Sequence, residues 1–68
     1  MKVLIRDIGS GFYAKDFGWV KDIRAAQDFE NARKAIQYGW CSSLRKVEIH
    51  YLYENPKLNF TTGAVIFS

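Results

Sequence analysis

The sequence predicts a small α+β domain: an antiparallel sheet of four or five strands in the order β-β-β-α-β, with a possible last β, and one helix packed on one face. Three observations predict it. Residues 46–54 alternate apolar and polar side chains with the period of a strand. Residues 29–38 place Ala32, Ala35 and Ile36 at spacings that share one face of a helix. The first twenty residues are cut by two turn signals, Gly9-Ser10-Gly11 and Asp16-Phe17-Gly18, into three short β-prone pieces.

Taken in chain order, residues 2–8 read K-V-L-I-R-D-I, a β-prone run. Gly9-Ser10-Gly11 then supplies the positive φ values of a tight hairpin, and the chain returns through Phe12, Tyr13 and Ala14. The second turn signal leads to Trp19-Val20 and closes a three-stranded meander. Residues 21–28 lack a period of two, and Ala25-Ala26 fit either a helical turn or a loop over the sheet. In the helix, Glu30, Arg33, Lys34 and Gln37 lie off the apolar face. Asp28 or Asn31 is the expected N-cap, Phe29 a staple at the entry, and Gly39 the left-handed stop. In the long strand, Val47, Ile49, Tyr51 and Tyr53 point one way and Lys46, Glu48, His50 and Glu54 the other, with Leu52 an exception on the polar face. Asn55-Pro56-Lys57 ends it, because proline lacks the amide that a ladder needs, and residues 64–67 are expected to return as an edge strand. The predicted core is Val3, Ile5, Trp19, Phe29, Ala32, Ile36, Val47, Ile49 and Tyr51.

Composition narrows the function. A chain of 68 residues, read as one domain over residues 1–68, buries only about 60% of the surface that its unfolded form exposes, which disfavours a deep enclosed active site. The eleven aromatic residues supply enough apolar area to fold. No apolar run approaches the ~20 residues of a membrane span. Lys2 is followed by only Val3, Leu4 and Ile5 before Arg6 and Asp7, which is no secretory core, so a cytoplasmic protein without membrane contact is expected. Cys41, the single cysteine, has no internal disulfide partner and beside Trp40 reads as a small buried hydrophobe.

Catalytic chemistry finds little to work with. The one histidine, His50, reads as a solvent-side residue of its strand, and one histidine with one cysteine falls short of the four ligands of a zinc site. The carboxylates are scattered, and Gly9-Ser10-Gly11 joins two strands rather than opening a helix as a phosphate loop does. The expectation is therefore no catalytic residue, no cofactor, no metal and no enzyme.

Two binding classes remain. The leading one is a non-catalytic interaction protein that binds a protein or nucleoprotein complex, with Tyr13, Tyr53, Phe60 and Phe67 as the candidate partner-binding aromatics. Pairing through an exposed edge or face would also allow a homodimer. The alternative is direct nucleic-acid binding. Ten Lys plus Arg against seven Asp plus Glu give a net charge of +3, and Arg24, Arg33, Lys34, Arg45 and Lys46 are the candidate contacts of a mildly basic helix face.

The order Tyr13, Trp19-Val20 with Asp22, Ala26 and Phe29, then Ala32 and Ala35 in a helix resembles a group of short uncharacterised bacterial and phage-borne proteins, over about residues 2–54. The resemblance implies a small meander capped by one helix, with no assigned activity; residues 57–68 depart from the pattern. In size and style the chain is also similar to inhibitor proteins of mobile elements, anti-CRISPR proteins among them. That likeness implies a protein that occludes a surface on a larger machine.

Overall fold

The computed structural model describes residues 1–42 and 44–66. The chain forms β1 (Lys2–Asp7), β2 (Tyr13–Lys15), β3 (Gly18–Val20), a 3-10 turn at Ile23–Ala25, α1 (Ala32–Cys41), β4 (Lys46–Leu52), a second 3-10 turn at Pro56–Leu58, β5 (Phe60–Thr61) and β6 (Val65–Ile66). Every strand pairing is antiparallel, in the spatial order β3-β2-β1-β4-β5, with β6 also against β4. The α+β class is as predicted, one helix lying on an open sheet.

β1 and β4 form the centre. Their ladder runs unbroken from Lys2↔Leu52 to Asp7↔Val47. Because side chains alternate along a strand, one face carries Val3, Ile5, Val47, Ile49 and Tyr51. The first four are buried together with Ala14, Phe29 and Ala35, and Tyr38, Leu44, Tyr51 and Val65 pack around them. The helix buries Ala35 and Gly39. The residues that the helix turns to the sheet are thus small, and two predicted core positions are overturned. Ile36, one step of about 100° round from Ala35, is 38% exposed. Trp19 pairs with Ala14 across β2 and β3, but β3 has no outer neighbour in the sheet order, and Trp19 is 42% exposed. Ala32 and Tyr51 are half-buried. Leu4, absent from the predicted core, is 1% exposed and alternates onto the second face, opposite His50.

The helix boundaries also shift. Asn31 is the N-cap, its Oδ1 accepting from Lys34 N at 2.9 Å. Asp28 works elsewhere: its Oδ1 accepts from Val3 N at 3.0 Å and from Glu30 N at 2.8 Å. Gly39 lies inside the helix, which ends at Ser42, whose N–H donates to the Tyr38 carbonyl at 2.9 Å, while Leu44 N–H reaches back to Gly39 O. Phe29 does anchor the entry, buried with its ring 4.7 Å from that of Tyr38. Cys41 is exposed rather than buried, lying two residues, about 200° of helical rotation, past the buried Gly39.

Residues 21–28 become a strap. Asp22 caps the Ile23–Ala25 turn, and the chain then fills the gap between β2 and the start of β1, with Gln27 N–H donating to Ala14 O and Phe29 N–H to Val3 O.

Two turns differ from their simplest reading. In the β2–β3 hairpin the two loop residues are Asp16 and Phe17, at φ 47° and 63°, with Lys15 opposite Gly18. That is the backbone of a type I′ turn, so Phe17 holds a position that glycine normally fills, and Gly18 belongs to the strand. Beyond the Pro56–Leu58 turn the last strand is split. β5 holds the register Tyr51↔Phe60 and His50↔Thr61, whereas β6 holds Val47↔Val65 and Lys46↔Ile66. Three residues, 62–64, therefore stand against two, which is a β-bulge. Thr62 bridges it, its N–H donating to Ile49 O at 3.0 Å and its Oγ1 accepting from Ile49 N at 3.2 Å. The expected edge strand thus starts earlier, at Phe60, and Phe67 lies outside the described residues.

Candidate interaction surface

The basic residues singled out from the sequence are dispersed. Arg24 is clamped to Asp22 at 3.0 Å, a contact that holds the Asp22 carboxyl below its ordinary range, and Lys34 meets Glu30 at 2.8 Å. Arg33 is on the first turn of α1, while Arg45 and Lys46 follow its far end; ten helical residues span about 15 Å. Two of the five cations are thus already matched to carboxylates, and the other three stand at opposite ends of the helix.

The aromatic candidates divide between faces. Tyr53 and Phe60 come together: Phe60, 52% exposed on β5, stacks on Tyr51 at 4.5 Å and lies 6.4 Å from Tyr53. Asn59 Oδ1 fixes this corner by accepting from Tyr53 N at 2.6 Å. Tyr13 is on the other face, its ring meeting His50 edge-on at 5.8 Å. There His50 Nε2 is 3.0 Å from Glu48 Oε2, and Arg6 Nη1 lies 3.6 Å from the same oxygen. The His50 side chain is only 16% exposed, less open than its alternation suggested, because Tyr13 and Glu48 wall it in. Glu48 is its hydrogen-bond partner, and among the described residues no hydroxyl or thiol shares that bond. Nor do three His, Cys, Asp or Glu side chains converge as metal ligands among the described residues.

One surface was missed by reading the sequence. A groove of about 390 Å³ runs between the β2–β3 turn, the strap and α1, walled by Phe17, Gln27, Asp28, Glu30, Lys34 and Tyr38, with Cys41 at its end. The helix supplies residues 34, 37, 38 and 41, the flank turned away from Ile36. Phe17 stacks on Tyr38 with centroids 5.2 Å apart and planes 23° from parallel, and the Phe17 N–H donates to Tyr38 Oη at 2.8 Å. Even so, Phe17 is 76% exposed, the most open of the large apolar side chains among the described residues. On the facing wall Glu30 also has a positive φ, 71°, in a γ-turn closed by Asn31 N–H donating to Phe29 O at 2.8 Å. Side chains other than glycine at such angles cost about 1–3 kcal/mol each, and here two of them border one groove. Asp28 is charged at neutral pH: the Val3 and then the Glu30 backbone N–H groups hold its carboxyl below the ordinary carboxylate range, with a smaller pull from Lys2 and the amino terminus. The available signal in the sequence was a phenylalanine in the Asp16-Phe17-Gly18 turn, where an apolar ring has no turn-forming role.

Among the described residues no helix is long and apolar enough to cross a membrane. No family model matches the chain, and no match is found among curated proteins or solved structures.

Proposed function

We propose that the chain is a non-catalytic interaction protein that docks a protein partner, alone or within a nucleoprotein complex, on the groove between the β2–β3 turn and α1. The observation that carries this reading is Phe17, a largely exposed aromatic ring held at a strained backbone angle over a groove by its contact with Tyr38. Exposed aromatics seated on a rigid scaffold are the usual anchors of protein interfaces. In so small a protein the effect on a larger partner would come from occluding the surface it covers.

The dispersal of Arg24, Arg33, Lys34, Arg45 and Lys46 favours this reading over direct nucleic-acid binding, which needs cations gathered along one track. Affinity capture from the cells that encode the chain, run in parallel with wild type and Phe17→Gly, tests it. The expected result is a partner retained by wild type and lost with the variant. A partner retained equally by both would contradict it, and so would a specific complex with nucleic acid alone that weakens steeply with salt.

A further inference from the structure

The charge of the groove is opposite to that of the whole molecule. The chain carries +3, yet the groove is lined by Asp28 and Glu30 against the single ammonium of Lys34, and Asp16 stands next to Phe17 in the turn. Hydrogen bonds among the described residues engage Oδ1 of Asp28 and Oε2 of Glu30. Oδ2 of Asp28 and Oε1 of Glu30 accept no hydrogen bond among the described residues, and Asp28 also feels the charges of Lys2 and the amino terminus from the side away from Lys34. Beside them stands the Phe17–Tyr38 stack, whose outer ring presents a flat apolar face. A cation with a planar, weakly hydrated head suits both walls at once: it lies flat on a ring and donates sideways to carboxylates, as guanidinium does and ammonium does less well.

Resting on the protein-docking reading, we infer that the occupant of this groove is an arginine-bearing basic segment of the partner, its guanidinium on the face of Phe17 and its N–H groups directed to Glu30 and Asp28. Lys34 then acts as a placeholder. Its exposed i,i+4 pair with Glu30 is the weak kind of ion pair, readily exchanged for a bidentate one. This reverses the role that the nucleic-acid alternative gives to Lys34. If Lys34 contacts phosphate, removing its charge weakens binding; if it competes with an incoming arginine, removing its charge strengthens binding.

The test is a titration of the isotope-labelled full chain, followed by backbone amide shifts, with tetra-arginine, tetra-lysine, tetra-glutamate and a short oligothymidine at low and moderate salt. Tetra-arginine should move the amides of Phe17, Gln27, Glu30 and Tyr38, and bind more tightly than tetra-lysine. Glu30→Gln should weaken it several-fold, Phe17→Gly should abolish the response at the groove, and Lys34→Gln should tighten it several-fold. Shifts scattered over Asp22, Glu48 and Glu54, or weaker binding by Lys34→Gln, would overturn the inference. A Phe17-dependent response to tetra-glutamate or to the oligonucleotide would overturn the arginine assignment while leaving the groove a docking surface. Concentration-dependent broadening at Phe17 and Tyr38 without any peptide would assign the groove to a second copy and overturn it as well. If no probe perturbs the groove and partner capture does not depend on Phe17, the docking reading falls with it.

Discussion

The β1–β4 centre and the β2–β3 hairpin with its helix flank are built on opposite terms. In the centre local preference and adopted structure agree: β1 carries the β-prone run Val3-Leu4-Ile5, β4 alternates apolar and polar residues, the ladder pairs from Lys2↔Leu52 to Asp7↔Val47, and Val3, Ile5, Val47 and Ile49 vanish from solvent. At the hairpin the preferences conflict. A phenylalanine occupies a left-handed turn position, its ring is mostly in water, and the edge strand behind it exposes Trp19. Conflict between local preference and adopted structure, in a domain with little stability to spare, is the ground on which the docking proposal rests. The centre holds the fold, and the hairpin flank presents a surface.

Breaking the centre should have the largest effect. Ile5→Ala removes a side chain that is 1% exposed in the middle of the ladder, and should cost about 2–5 kcal/mol, enough to unfold much of the population. Denaturant titration followed by tryptophan fluorescence reads it, and a loss below about 1 kcal/mol would mean that the core lies elsewhere.

Asp28 joins the two regions, so its substitution comes next. Asp28→Ala leaves the Val3 N–H without an acceptor beside a fully buried side chain, at a cost of about 1–3 kcal/mol; Asp28→Asn keeps an acceptor oxygen and should cost less. The native carboxyl titrates below its unfolded value near 3.9, so its contribution is complete above that pH and is withdrawn as pH falls through the native value. Asp28→Asn should therefore flatten the acid limb of the stability profile. An unchanged acid limb would show that this carboxylate is not coupled to folding.

A smaller change separates the hairpin from the helix. Tyr38→Phe removes the oxygen that accepts from Phe17 N but keeps the ring stack, and should cost about 0.5–1.5 kcal/mol while speeding amide exchange at Phe17 more than at Ile5. Equal acceleration at both sites would mean that the hairpin does not open separately from the centre.

How much of this could be read in advance follows the same division. β4 was legible because alternation over Lys46–Leu52 is a strong local signal, and the one-helix α+β architecture followed from it and from the alanine spacing of α1. The rotation of α1 was not legible: Ala35 and Ile36 are adjacent, and which one faces the sheet depends on how near the helix axis can approach, a tertiary quantity. The bulge at residues 62–64 was hidden because Thr62 substitutes for a ladder pair through its side chain as well as its backbone. The groove was the least legible feature. Its walls come from residue 17, residues 27–30 and residues 34–41, which share no motif and meet only because the strap closes the gap between β2 and β1. Tyr53 and Phe60, chosen separately as candidate aromatics, lie near each other through the register that sets Phe60 opposite Tyr51, which no local pattern in the sequence displays.

The most direct measurement of the central claim is the unfolding free energy of Phe17→Gly against wild type. Glycine relieves a left-handed strain of about 1–2 kcal/mol and completes an Asp-Gly type I′ turn. Against this stand the lost ring contact with Tyr38, about 0.5–1.5 kcal/mol, and the added freedom of glycine in the unfolded chain, about 0.5–1 kcal/mol. The variant should lie within about 1 kcal/mol of wild type, with its fold intact and its docking lost. A destabilisation above about 2 kcal/mol would contradict this, for Phe17 would then be a residue that the fold itself requires.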